Sequence, residues 1–76
     1  MNALRRKNLN EVISRIEELS EVLEELMGEE EEYRDNMPEN LQGGARWEKA
    51  DQACNCLQDA LDNLEEAVSS IDEAAE

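Results

Sequence analysis

Carboxylates are the most abundant side chains of this sequence that could take part in chemistry. The 76 residues include 21 Asp and Glu against 7 Lys and Arg, for a formal net charge of −14. Carboxylates three or four residues apart lie on one side of a helix and could bind a divalent cation, but the glycine and ligand spacing of an EF-hand loop are missing. We interpret them as solvated helix surface and expect no metal or cofactor. The pairs are Glu17/Glu21, Glu21/Glu25, Asp59/Asp62 and Asp62/Glu66.

The remaining reactive groups do not form a catalytic set. The sequence contains no histidine, so imidazole bases and the Cys–His and Ser–His nucleophiles are absent, and we expect no enzymatic activity. Cys54 and Cys56 lie two residues apart, which on a helix turns their side chains about 200° from each other. They therefore cannot share a metal ion or form a disulfide within the helix. We expect Cys54 to be a core residue and Cys56 an exposed thiol, with a redox role as the alternative.

The charge and the length also limit the classes of protein. A field this negative repels phosphate backbones and anionic lipids, so we expect no direct binding of nucleic acid or membrane. No apolar run approaches the roughly 18 residues of a membrane span, and the basic start, residues 5–7, leads into polar residues. We expect a cytoplasmic protein. A chain this short buries little surface alone, which favours a homo-oligomer.

Two segments have the apolar periodicity of long helices. In the first, apolar residues recur every three or four positions from Leu9, with Glu30 as the exception and with Ile13, Val22 and Met27 beside the seam. We assign heptad positions a to Leu9, Ile16 and Leu23, and d to Val12, Leu19 and Leu26.

The second segment repeats every seven residues, in the blocks ACNCLQD, ALDNLEE and AVSSIDE. One column of the repeat is alanine, at position g, and the adjacent a and d columns are larger. The helix thus has two neighbouring contact surfaces, of which one closes a hairpin and the other contacts another copy or a partner. The candidate oligomer-interface residues are Ala53, Leu57, Ala60, Leu61, Leu64, Ala67, Val68 and Ile71.

The segment between the helices contains Pro38, Gly43 and Gly44, which interrupt helical structure. We therefore predict an all-α protein: an antiparallel two-helix hairpin of coiled-coil type that dimerises into a four-helix bundle. Its single domain, 1–76, consists of a helix over about 3–35, a connector over about 36–44 and a helix over about 45–75. In this topology the basic residues 5–7 are expected near Asp72, Glu73 and Glu76, and Arg46 and Lys49 near residues 29–32.

Acidic rows and a loop-end cluster are the expected partner-binding features. No basic residue interrupts the carboxylates between Ile16 and Tyr33 or after Ala50. Such rows could imitate nucleic-acid phosphates, or they could be solvated surface. Trp47, at position a, is either a core plug or a binding hot spot. The partner-binding candidates are Glu29, Glu30, Glu31, Glu32, Tyr33, Met37, Leu41, Trp47, Asp59, Asp62 and Glu66.

The segment from Tyr33 to Gln42, YRDNMPENLQ, followed by WEKA at 47–50 and the alanine heptads, resembles a group of short acidic proteins encoded by phages and prophages of Gram-positive bacteria. The resemblance spans nearly the whole chain. It implies a small phage protein that binds and blocks a host protein, including defence proteins, and it implies no active site.

Three functions follow from these features. The first is a non-enzymatic module that binds a host or phage protein, most plainly as an inhibitor of a host protein, and in one form by nucleic-acid mimicry. The second is a structural or assembly coiled-coil adaptor of a phage. The third is an oligomeric sponge for a signalling nucleotide, which conflicts with the shortage of cationic groups.

Overall fold

Two long helices and a short connector make up the computed structural model, which describes residues 1–76. Helix α1 spans Ala3–Asp35, a 3₁₀ turn spans Glu39–Leu41, and helix α2 spans Ala45–Ala74. The helices pack against each other along their length, and the molecule measures 59 × 15 × 11 Å. This arrangement confirms the antiparallel two-helix hairpin. A single copy is present, so the four-helix bundle stays a prediction.

The helix ends are set by local hydrogen bonds. The Asn2 side chain accepts a hydrogen bond from the Arg5 backbone N–H at 2.7 Å, which caps the start of α1. At the other end, the Asn36 N–H donates to the Glu32 carbonyl at 2.9 Å. Gly44 precedes α2 and provides no side-chain cap. α1 therefore begins with a firmer cap than α2.

The connector is held by its own contacts. The Gln42 side-chain amide donates to the Met37 carbonyl at 2.9 Å, and Met37 itself is only 8% exposed. Gly43 has a φ of +77°, a conformation that side-chain-bearing residues rarely adopt. Met37 thus closes the loop end of the hairpin from within, and Gly43 allows the chain to turn into α2.

One ion pair sets the alignment of the helices. The Arg34 guanidinium donates to the Asp51 carboxylate at 2.9 Å, and it also pairs with Asp35 on its own helix. Counting away from Arg34 and Asp51 in opposite directions places Leu9 opposite Glu76. The first eight residues therefore extend past the end of α2, and we call them the overhang. Each helical residue of the overhang adds about 1.5 Å to its length.

This alignment explains why the other expected charge pairs are missing. Residues 5–7 lie in the overhang, beyond the last residues of α2, and form no ion pair. Arg46 lines the same groove as Glu29 and Glu32 but is not ion-paired with either. The pairs predicted for residues 5–7 were therefore wrong, whereas Arg46 lies near Glu29 and Glu32 as predicted but without an ion pair.

The seam of α1 also differs from the predicted one. Leu9, Ile16 and Leu23 face α2 as expected, but the second inward column is Ile13, Ser20 and Met27. The predicted d residues are instead exposed: Val12 at 44%, Leu19 at 65% and Leu26 at 51%. Arg34 belongs to the column of Ile13 and Met27, so its bond to Asp51 requires that side of α1 to face α2. One partner helix covers only one flank of the a column, and the other flank stays open.

The interior of a lone hairpin is very small. Only Met37, Ala50 and Cys54 are buried, and the other seam residues remain partly exposed. The accessible surface is 5857 Å², whereas a compact monomer of this mass exposes about 4,700 Å². The hairpin thus leaves roughly 1,100 Å² more surface in water than a globular chain of its size.

Candidate functional site

The hairpin has two broad faces of different chemistry. On one, which we call the apolar face, Val12, Leu19, Leu26 and Tyr33 of α1 run beside the alanine column of α2. A groove of about 500 Å³ at the loop end shows that these columns share a face, because Glu29 and Tyr33 line it together with Arg46. Arg46 lies one heptad before Ala53, at the start of the alanine column. The alanines of the apolar face are Ala53, Ala60 and Ala67.

The apolar face is open to solvent along its whole length. Tyr33 is 50% exposed and Val22, on the outer edge of the same side of α1, is 52% exposed. Their exposure is comparable to that of Leu26 and Val12. Large apolar side chains that are exposed in one continuous row mark an interaction surface rather than ordinary scatter. The sequence predicts such a surface for the alanine column of α2, but it assigns the neighbouring row of Val12, Leu19 and Leu26 on α1 to the seam.

The charge on the apolar face departs from that of the rest of the chain. Its columns, together with the columns at its two edges, contain a single carboxylate, Glu29. They also contain Arg15, Arg46 and Lys49, which are more than a third of the 7 basic residues. A chain with 21 carboxylates that leaves one side nearly free of them has separated its contact surface from its charged surface.

The opposite side, which we call the acidic face, contains a second groove of about 440 Å³. Leu61 and Val68 of α2 lie in it, and no basic side chain lines it. Among the carboxylates, only Asp62 has a side-chain hydrogen bond, from Gln58 at 3.0 Å. The groove is therefore an unneutralised anionic channel. Its carboxylates are Glu17, Glu21, Glu24, Asp62 and Glu65.

The partner-binding candidates fall into separate places. Glu29, Glu32, Tyr33, Met37 and Leu41 line the loop-end groove, although Met37 itself is buried. Asp59 and Glu66 are exposed on α2, and Asp62 lies in the acidic groove. The structure thus joins the loop-end candidates into one surface and separates them from the acidic rows on α2. The predicted partner-binding residues did not include Glu17, Glu21, Glu24 or Glu65, although the Glu17/Glu21 pair was recognised as lying on one side of a helix.

Glu30 and Glu31 have a different environment, since they lie beside Cys54 near the seam. Burial raises the pKa of the Cys54 thiol above the ordinary value of 9.0, and the two glutamates and Asp51 raise it further. Arg34 opposes them by lowering it. Cys54 is thus kept as the neutral, unreactive thiol, whereas Cys56 is exposed.

Arg34 balances this cluster of carboxylates. Its hydrogen bond to Asp35 is the main cause that holds its pKa above the usual range, and the bond to Asp51 adds to it. The side chain is only 19% exposed. Arg34 therefore remains charged at every relevant pH and has a structural role between the helices.

Trp47 is half-buried at the start of α2. Its indole N–H is enclosed and has no hydrogen-bond acceptor. An unpaired buried donor costs about 1–3 kcal/mol. Among the two interpretations of Trp47, its position supports a packing role, because the polar edge of the ring points away from solvent.

The remaining oligomer-interface candidates are divided by the hairpin itself. The large residues of the a and d columns are half-buried against α1, whereas the alanines adjoin the exposed row of the apolar face. The residues that take part in the seam are Leu57, Leu61, Leu64, Val68 and Ile71. Among these candidates, the alanines adjoin the apolar face, whereas Leu61 and Val68 also line the acidic groove.

Comparisons add no assignment to this site. No protein-family model, curated protein or solved structure matches the chain. Neither helix combines the length and the apolar character needed to cross a bilayer. No group of three or more carboxylate or thiol side chains is arranged to hold a metal ion.

Proposed function

We propose that this protein is a non-enzymatic binding module that uses its acidic face to occupy a basic surface of another protein. The observation that carries the proposal is the acidic groove, in which five carboxylates from both helices line one channel without any cation. Unpaired carboxylates held on rigid helices attract a cationic partner over a distance set by the salt concentration.

The geometry favours a basic groove of the kind that binds nucleic acid. The carboxylates of the groove on α1 span residues 17–24, about 10 Å along a rod 59 Å long and 15 Å wide, and Glu31 of α1 and Asp72 of α2 continue their rows one heptad further. Negative charge is therefore spread along the axis rather than gathered in one spot. A nucleic-acid strand presents its phosphates in a similar row, and a protein built to bind one is complementary to the other. Together with the resemblance to phage proteins, this supports an inhibitor of a host nucleic-acid-binding protein, including a defence protein.

The test starts from a pull-down on a lysate of a Gram-positive host, followed by titration of the recovered protein with purified components. We expect the affinity to fall steeply between about 0.1 and 0.5 M salt, and nucleic acid to compete for the same surface. Affinity that does not change with salt would rule out mimicry. Affinity that is salt-dependent but insensitive to nucleic acid would assign a different basic surface.

A matched set of variants locates the binding side. Replacing Glu17, Glu21 and Glu24 by glutamine removes three of the five negative charges of the groove. Replacing Glu11, Glu18 and Glu25 by glutamine removes three charges from the outer side of the same helix. Both triple variants change the net charge by the same amount. We expect only the first to weaken the complex, by about tenfold or more. Equal weakening by both would show that total charge, and not the groove, is recognised.

An assembly role is the second candidate, and the exposed apolar face favours it. A surface that runs along the whole rod could join hairpins into larger structures, as in a phage scaffold or adaptor. Sedimentation at several concentrations distinguishes the two functions. Growth without limit supports the scaffold, and a closed dimer supports the discrete binding module.

A further inference from the structure

We infer that the apolar face binds a second copy of this chain, with the two α1 helices antiparallel about a two-fold axis at Val22. The inference rests on the proposed function and deepens it, because it states how two acidic faces are held in one particle. The seven α1 residues at the centre of the contact are Val12, Arg15, Leu19, Val22, Leu26, Glu29 and Tyr33.

The spacing of these residues is that of a second helix–helix seam. They follow one another at intervals of three and four along the side of α1 that does not contact α2. The hairpin has already used the first seam. A second one on the same helix, with its large side chains about half exposed, requires a second helix to cover it.

The order of residue types along the seam is nearly the same in both directions, which is the symmetry that an antiparallel pair of identical helices requires. Val22 is central, Leu19 and Leu26 lie on either side of it, and Val12 and Tyr33 lie at the ends. An axis at Val22 brings Leu19 of one copy within one residue of Leu26 of the other, which is about 1.5 Å along the helix. Isologous contacts require such a self-complementary pattern, in which each residue meets its counterpart twice.

The charges agree with this arrangement. Arg15 and Glu29 lie seven residues on either side of Val22, so each Arg15 faces Glu29 of the second copy and the pair occurs twice. A parallel alignment would instead place Arg15 against Arg15 and Glu29 against Glu29. Opposite charges at matching positions select the antiparallel orientation, because like charges there are repulsive.

Arg15 and Glu29 cannot satisfy each other within one chain. They lie fourteen residues apart on a straight helix, which is about 21 Å. Both side chains are exposed, and neither forms an ion pair in the hairpin. Glu29 is the single carboxylate in the columns of the apolar face and at its two edges, and Glu32 of the next column lines the loop-end groove beside it.

The size of the face suits a stable dimer. A rod 59 Å long and 15 Å wide has room for the roughly 800 Å² per partner that standard interfaces bury. Burial of that order also removes most of the excess of about 1,100 Å² over a compact chain. The alanines of α2 adjoin the α1 row and leave space for close approach, so the product is a four-helix bundle.

The acidic grooves lie on the outside of this bundle. Each groove is on the side of its hairpin opposite to the apolar face, so dimerisation leaves its carboxylates open to a target. A second copy also fits better than an unrelated partner. The face is complementary to itself in the placement of Arg15 and Glu29, whereas a basic target would be drawn to the acidic side.

The test uses the full chain and sedimentation equilibrium. We expect the wild-type protein to sediment at twice the 8.7 kDa of one chain. Arg15→Glu and Glu29→Arg each create two repulsive pairs, and we expect each to raise the dimer dissociation constant by about tenfold or more. The double variant recreates both attractive pairs in the opposite sense and should restore the dimer. A monomeric wild-type protein, or a double variant no tighter than the single ones, would overturn the inference.

A matched pair of apolar variants tests the face without reference to charge pairing. Leu19 is 65% exposed on the apolar face, and Leu4 is 67% exposed on the overhang, away from it. Leu19→Glu should give a helical monomer, and Leu4→Glu should leave the dimer intact. Dimers that persist in Leu19→Glu, with helicity unchanged, would contradict this face as the interface. Target binding by the monomeric variant is measured separately, so failure of dimerisation is distinguishable from failure of the binding function.

Discussion

Arg34 of α1 and Asp51 of α2 form the one side-chain hydrogen bond that connects the two helices, with a distance of 2.9 Å between Nη1 and Oδ1. The pair lies near the loop end, where Cys54, Glu30 and Glu31 are its neighbours. The flank of α1 that faces outward is the more apolar of its two flanks, so hydrophobicity does not decide which of them packs on α2. The ion pair does, because it forms only when the column of Arg34 faces inward.

We predict that Arg34→Met and Asp51→Asn each lower the free energy of unfolding, since each leaves a partly buried charge or polar group without its partner. The double variant should lose less than the sum of the two. Urea denaturation followed by circular dichroism measures all four proteins, and additive losses would show that the two residues are not coupled. Asp35→Asn is the control, because Asp35 is 62% exposed and its bond stays within α1.

The hairpin itself was predictable from the sequence. Pro38, Gly43 and Gly44 mark the break, and heptads on both sides define helices of similar length, for which an antiparallel hairpin is the simplest topology. The use of the alanine column of α2 as a second contact surface stays a prediction.

The seam of α1 was not predictable in the same way. Two rows of α1 are equally regular in spacing. One contains Val12, Leu19 and Leu26, and the other contains Ile13, Ser20 and Met27. A periodicity argument prefers the more apolar row. The choice depends on a tertiary contact, Arg34 with Asp51, that a pattern along one helix does not contain. Because the row of Ile13 and Met27 faces α2, the row of Val12, Leu19 and Leu26 faces outward. This outward row belongs to the apolar face, which the sequence alone did not assign to α1.

Two glycines should respond to alanine in opposite directions. Gly28 lies inside α1 with open space around the position of a Cβ, so Gly28→Ala should stabilise the protein by about 1 kcal/mol through helix propensity. Gly43 has a φ of +77°, so Gly43→Ala should destabilise it by about 1–2 kcal/mol. Thermal unfolding at a fixed protein concentration compares the two. A shift of the midpoint in the same direction for both would contradict these backbone assignments.

Leu61→Glu should unfold the hairpin. Leu61 is half-buried between the helices and lies in the acidic groove near Glu24 and Glu65, so a new carboxylate there loses apolar burial and adds repulsion. We expect a loss of about 3 kcal/mol or more, seen as a loss of helical circular dichroism. Glu25→Gln, at an exposed position of α1, is expected to be nearly silent. Retention of full helicity by Leu61→Glu would show that the seam tolerates charge.

The two cysteines should react at different rates. Cys56 is exposed and Cys54 is buried, so a maleimide added to the folded protein should modify one thiol rapidly and the second only in denaturant. Mass spectrometry of peptides identifies the site. Rapid modification of Cys54 in the folded protein would indicate that the loop end opens on the timescale of the experiment. Cys56→Ser is the control, and it should remove the fast phase entirely.

Alkaline pH should destabilise the fold through Cys54. Burial and the neighbouring carboxylates raise the pKa of this thiol in the folded protein above the ordinary value of 9.0 that it regains on unfolding. The folded state therefore holds the proton more tightly. The contribution of the Cys54 thiol to stability is complete below its pKa in the unfolded chain, and it is lost as the pH rises through its pKa in the folded protein. The reason is that the unfolded chain releases the proton more easily and is therefore favoured as the pH rises. Cys54→Ala removes the titrating group. We therefore expect the free energy of unfolding of the wild-type protein to fall toward or below that of the variant between about pH 7 and about pH 10. Urea denaturation at each pH measures both proteins. A difference between the two proteins that stays constant over this range would show that Cys54 ionises equally easily in both states.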